Sequence, residues 1–322
     1  MIVSYGIAVG YALFLWWFST GVILYLDKRP EHTYPWSLAG ATLALVIAFG
    51  VLVWSRDMAT VTGAYAGFTA GVVIWGWMEM SYFMGFITGP RKLPCPENCH
   101  GWQRFRLALS TSLYHELVIV AAAGLMLWLT WGAVNAVGTW TYLILWLMRW
   151  SAKLNLFLGV PNLNEDWLPE RIRFLTSYLA KRPMNLLFPV SVSVATVIMC
   201  LLVDTAVELP AGSFTGVALM LAATLLALAI LEHWFLVLPL TDGALWRWAL
   251  GAGAENGADT ETTAHRVQQA SPGGDGGAGP VAATRRTTQR MVSPQPTAVF
   301  PEPDYESATL RAPGGLSVTP ST

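Results

Sequence analysis

Seven mostly apolar runs, each about twenty residues long, follow one another along this chain, near 4–26, 36–54, 61–87, 107–131, 138–159, 186–207 and 214–238. A helix rises about 1.5 Å per residue, so roughly 20 helical residues cross the hydrocarbon core of a bilayer. The runs predict an all-α integral membrane protein with about seven transmembrane helices. Composition agrees: 12% of the residues are charged and 54% are hydrophobic, whereas a soluble domain carries about a quarter charged. Nothing positive precedes the first run and no small-residue cleavage site follows it, so it reads as a retained helix and not as a signal peptide. A net charge of −1 leaves no basic footprint for nucleic acid. Three cysteines exclude a disulfide-rich secreted scaffold.

Lys and Arg collect on cytoplasmic loops, which gives an orientation. With the loops numbered alternately, one side holds Lys28, Arg29, Arg91, Lys92, Arg104, Arg106, Arg149, Lys153, Arg171, Arg173, Lys181 and Arg182; the other holds Arg56. The N-terminus is therefore expected outside and the C-terminus in the cytoplasm. Residues 1–250 form the polytopic membrane domain and contain every Trp of the chain. Between the fifth and sixth runs, Leu168, Ile172, Leu175 and Leu179 recur at helical spacing. This predicts a helix near 168–182 in the headgroup layer, with Trp167 as an anchor; the plainer alternative is a solvated loop helix. Residues 251–322 are rich in Gly and Pro and have no periodic apolar face, so they are expected to be a disordered tail.

Ionisable groups inside a membrane cost about 2.5–3.5 kcal/mol each even on lenient scales, and each needs a reason. Glu79, His115, Glu116, Glu232 and His233 fall within the apolar runs. Counting 1.5 Å per residue from the inner run ends places them roughly 9–12 Å below the inner surface, in one layer. One reading is a polar site open to the cytoplasmic leaflet; the plainer one is Glu–His pairs that fix helix packing. Neighbours such as His115 and Glu116 diverge by about 100° on a helix and do not share a metal easily. The Glu and His three apart that di-iron bundles use is missing. A single imidazole, His115 or His233, suffices to ligate the magnesium of a chlorophyll-type pigment. Cys95, Cys99 and His100 supply only a partial ligand set, short of the four of a zinc site, and read first as a turn with spare thiols. Most tryptophans sit near run ends as interfacial anchors; Trp75, Trp77 and Trp234 lie near the level of the acids and have the flat faces to pack a macrocycle. No nucleotide-binding, hydrolase or H-E-x-x-H motif occurs.

Three stretches carry a resemblance: Trp77–Arg91 (WMEMSYFMGFITGPR), Trp150–Glu165 (WSAKLNLFLGVPNLNE) and Glu232–Leu240 (EHWFLVLPL). Over about residues 1–250 the chain resembles the PuhE-type photosynthetic complex assembly proteins of purple phototrophic bacteria. The resemblance implies a multi-pass protein of the bacterial inner membrane, cytoplasmic or intracytoplasmic. It implies a role in assembling the reaction centre and light-harvesting complex and an influence on bacteriochlorophyll supply. Its partners would be complex subunits or pigment-biosynthesis proteins, besides the lipid bilayer. It supplies no catalytic residues. In the middle stretch Lys153 is placed to snorkel to the headgroups. Asn155, Asn162 and Asn164 either cap the helix exit or face the same pocket.

The leading expectation is a non-catalytic factor that binds bacteriochlorophyll, a precursor or partner subunits, with a pocket drawn from His115, His233, Glu79, Glu116, Trp77 and Asn155. The alternative is an intramembrane enzyme of tetrapyrrole metabolism that uses Glu79, His115 and Glu232; a transporter ranks third.

Overall fold

The computed structural model describes residues 2–163, 170–238 and 246. Eight α-helices form among them: α1 (Ile2–Asp27), α2 (Tyr34–Ser55), α3 (Val61–Phe83), α4 (Gly101–Ser110), α5 (Leu113–Leu129), α6 (Val137–Leu158), α7 (Leu187–Glu208) and α8 (Phe214–Phe235). Short 3-10 turns occupy Glu31–Thr33 and Glu170–Tyr178. The described residues contain no strand, only an isolated bridge between Val160 and Lys181. The expected tail, Asn164 and Trp167 lie outside the described residues.

Four of these stretches are long and apolar enough to cross a membrane: Tyr5–Asp27, Glu31–Ser55, Leu187–Glu208 and Phe214–Phe235; the bent pair α4 and α5 would make a fifth. Helices α3 and α6 have the length, 23 and 22 residues, but their composition is diluted. Helix α3 carries Gly, Thr, Trp, Tyr and Glu79; α6 carries Arg149, Lys153 and Asn155. Helix α3 lies inside the bundle, and α6 packs one side against it while exposing Trp140 and Leu147. One side of α3 gives Ala64, Phe68 and Val72 to a core shared with Tyr5, Ala8 and Ala12 of α1 and with Val217, Leu221 and Leu225 of α8. The other gives Ala70, Ile74 and Met78 to a core shared with Leu52 of α2, Ile119 and Met126 of α5, and Tyr142 of α6. A helix used on several sides needs no single apolar stripe. In contrast, α2 and α7 expose Leu43, Val46, Ile47, Val190, Val194 and Leu201, a surface suited to a lipid bilayer.

Glycines set how closely α3 and α6 approach. A Cβ on Gly71 would lie 2.5 Å from the Gly138 carbonyl oxygen, and one on Gly138 would lie 2.6 Å from that of Gly67. Small residues at a crossing let backbones meet directly. Side chains further along the two helices are thereby brought within reach of one another. At one end of these helices Asn135 locks the turn before α6: its amide donates to the carbonyls of Ser55 (3.0 Å) and Gly63 (2.8 Å) and its oxygen accepts from the Val137 N–H (3.1 Å).

The run expected at 107–131 is broken. Helices α4 and α5 meet at 66° across Thr111 and Ser112. The hydroxyls of Ser110 and Thr111 bond the carbonyls of Leu107 (2.7 Å) and Ala108 (2.6 Å), which offers the backbone an alternative to helix continuation. The chain at 88–91 fits against the break: the His115 N–H donates to Thr88 O (2.9 Å) and the Arg91 N–H to Ser110 O (3.4 Å). Only glycine fits at 89, where a Cβ would stand 2.1 Å from Ser110 O.

Candidate functional site

Helices α1, α3, α6 and α8, with parts of α4, α5 and the Glu170–Tyr178 segment, enclose a cavity of about 460 Å³. Its apolar wall includes Phe68, Val72, Trp75 and Phe83 of α3, Phe105 of α4, Leu145 and Phe157 of α6, and Leu225 of α8. Among the described residues six acidic or basic side chains line it: Asp27, Glu79, Glu116, Arg149, Lys153 and Glu232.

Ion pairs across α3, α5 and α6 organise these charges. Arg149 Nη2 lies 2.8 Å from Glu79 Oε2, and Lys153 Nζ lies 2.8 Å from Glu116 Oε1. Trp150 donates its indole N–H to Glu116 Oε2 (2.7 Å), and Trp16 donates to Glu232 Oε1 (2.7 Å). The two cations also face ring surfaces, Arg149 over Phe83 at 5.5 Å and Lys153 over Tyr82 at 5.2 Å. A charge-assisted pair in a poorly solvated place needs its remaining hydrogen-bonding capacity filled, and here it is not: Glu79 Oε1, Arg149 Nε and Asp27 Oδ1 are buried without a partner.

The five intramembrane residues expected in one layer divide. Glu79, Glu116 and Glu232 line the cavity; His115 and His233 do not. His233 is buried and occupied at both nitrogens, with Nδ1 2.8 Å from Ala229 O and Nε2 2.8 Å from Ser151 Oγ. Its ring ties α8 to α6. His115 is buried against Tyr82, ring centres 4.5 Å apart, and both its nitrogens lack partners. Trp77 points to α2, donating to Thr42 Oγ1 at 3.0 Å, and it is Trp75 that lines the cavity. Asn155 is fully buried away from the lining. Its side-chain amide donates to Ser151 O (2.9 Å), and its backbone carbonyl accepts from the Asn185 amide (3.2 Å). The helix exit in the middle stretch is tied by residues further along the chain. The Asn185 amide donates to Gly159 O (2.9 Å), and the Asn162 amide donates to Phe235 O (3.0 Å) and to Leu238 O at the end of α8.

Cys95 and Cys99 are joined as a disulfide, while His100 is exposed next to the start of α4. Among the described residues no three His, Cys, Asp or Glu side chains are grouped to hold a metal ion.

Arg149 and Lys153 were read in the sequence as charges at the inner surface, and they face the cavity instead, together with Asp27. The signal was present. Arg149 and Lys153 are four apart in an otherwise apolar run, so one helix face presents both, and the buried acids required cations from somewhere.

The lining tests the pigment expectation directly. Aromatic walls beside unfilled donor and acceptor atoms fit a large amphipathic ligand with polar groups at its edge. Among the described residues no imidazole lines the cavity, so axial ligation of a macrocycle's metal by His115 or His233 does not fit this arrangement.

Residues 2–256 match the family described as a protein of unknown function, DUF3623. The chain is 38% identical over 243 residues to an uncharacterised 30.4 kDa protein in the puhA 5′ region of Rhodobacter capsulatus, covering 74% of this chain and 88% of that one. No solved structure matches.

Proposed function

This chain belongs to the DUF3623 family, and we propose that it is a membrane factor of photosynthetic complex assembly that holds bacteriochlorophyll or a precursor in the cavity between α1, α3, α6 and α8. The observation that carries the reading is the lining itself: aromatic walls and two buried ion pairs, with Glu79 Oε1, Arg149 Nε and Asp27 Oδ1 left unfilled. Buried polar groups usually find partners, so a site with three open ones in a large cavity calls for a ligand. The relative in the puhA region, a photosynthesis gene region, and the resemblance to the PuhE-type assembly proteins support the process. The role is one of binding, because the acids are held by Arg, Lys and Trp and not arranged as a nucleophile with its base.

The arrangement we favour has seven crossings, with α3 shielded from lipid by its neighbours, α6 partly so, and the N-terminus outside. The cavity then lies toward the cytoplasmic end, beside Phe105, Leu175, Tyr178 and Leu179 and near the cationic segments. The intramembrane-enzyme alternative makes a different prediction. Full-length protein purified from a bacteriochlorophyll-producing host should carry pigment or complex subunits and turn nothing over. Conversion of a supplied precursor by the purified protein would replace the binding role with catalysis.

A further inference from the structure

Resting on that reading of the cavity, we infer that its ligand is neutral at its buried end, a carbonyl-bearing ester or ketone, and that a free carboxylate of the same skeleton is rejected. The charges of the lining decide this. Among the described residues the lining holds four carboxyl groups against two cations, and both cations are taken, Arg149 by Glu79 and Lys153 by Glu116, each at 2.8 Å. An anionic ligand would have to displace one of those carboxylates and leave it buried without its partner, the costly way to break such a pair. It would also meet the carboxyl groups of Asp27 and Glu232, and Glu232 accepts from the Trp16 indole N–H. Arg149 lies within electrostatic reach of Glu79, Glu116 and Glu232, so its positive charge is shared among three acids before any ligand arrives.

The atoms left open point the same way. Asp27 and Glu79 are 9% and 8% exposed, and each keeps an oxygen without a partner, Oδ1 and Oε1. The Glu79 oxygen can only accept, and so gives nothing to a ligand carboxylate, which also only accepts. Arg149 keeps one N–H, at Nε, without a partner; a single neutral carbonyl oxygen satisfies it, with no charge to compensate. Lys28 follows Asp27 in the chain and lies close enough to act on it, but it does not line the cavity and offers no cation there. In tetrapyrrole terms, the cavity selects the esterified product over the free-acid intermediate, which places this protein after the esterification step.

The test compares two probes that differ by one methyl ester, bacteriochlorophyllide a and its methyl ester, binding to the full-length protein in detergent at pH 8, followed by quenching of tryptophan fluorescence. The ester should bind at least about tenfold more tightly, the scale of one like charge at close range in a partly solvated site. Glu116→Gln, or Glu79→Gln should the first fail to fold, frees the cation that it holds and should narrow that ratio. Equal or tighter binding of the free acid overturns the inference while leaving pigment binding intact. If neither probe binds, the pigment reading of the cavity falls, and this inference with it.

Discussion

Glu79→Gln removes the carboxylate that Arg149 Nη2 meets at 2.8 Å, and Arg149 already has Nε without a partner. Breaking a buried pair from one side costs about 3–5 kcal/mol. The Arg149 side chain is 33% exposed, so water in the cavity screens it, and we expect the Gln variant to lose about 1–3 kcal/mol. Arg149→Met leaves Glu79, whose side chain is only 10% exposed, as a lone carboxylate, and its loss should sit near the upper value. The double variant removes both charges together. It should be no less stable than Arg149→Met alone, giving a coupling of about 1–3 kcal/mol. The assay is denaturant unfolding of the purified full-length protein in mixed micelles, with all variants under one condition. Glu79→Gln combined with His233→Gln is the internal control: His233 spends its nitrogens on Ala229 and Ser151, so that pair should add within about 0.5 kcal/mol. Additivity of Glu79 with Arg149 at that same level would refute the account of a coupled buried pair.

Gly71→Val places a Cβ 2.5 Å from the Gly138 oxygen and should destabilise by at least about 2 kcal/mol in the same assay, whereas Gly124→Ala on α5, with nothing within 4 Å, should be neutral or stabilising. Equal effects at the two positions would remove the close α3–α6 contact as a determinant of the fold. For orientation, a reporter active only in the cytoplasm should work when fused after Arg106 or Arg182 and fail after Arg56 or Pro210. The opposite pattern would put the Cys95–Cys99 disulfide in an oxidising compartment, where such bonds persist, and would turn the cavity toward the outside.

The helices were legible in the sequence because long apolar runs have few other uses, and their limits at Asp27, Ser55 and Leu158 lie close to the ends of the runs. The break at Thr111 and Ser112 was not. Hydropathy averages over it, and only the consecutive Ser110, Thr111 and Ser112 hydroxyls hint at it. The acids of the cavity were legible one by one, since burial makes each of Glu79, Glu116 and Glu232 expensive. Grouping His115 and His233 with them failed for a geometric reason. Depth along a helix was estimated from residue counts, but direction around the axis was not, and adjacent residues such as His115 with Glu116, or Glu232 with His233, point to different neighbours. Arg149 and Lys153 were assigned to the surface because a charge rule that sorts loops cannot tell a loop cation from one paired inside the bundle.

The central claim is that the cavity holds pigment, and Gly76 gives the most direct access to it. This glycine lines the cavity, and a Cβ there would meet only Ile23 Cδ1, at 3.8 Å, so Gly76→Leu fills the space without disturbing a helix contact. The measurement is the ratio of extracted bacteriochlorophyll to protein after purification of wild type and Gly76→Leu from the same phototrophic host. Wild type should carry pigment, and the variant should lose most of it at unchanged unfolding midpoint. Pigment retained at the wild-type ratio by Gly76→Leu, or absent from both proteins, would contradict the account.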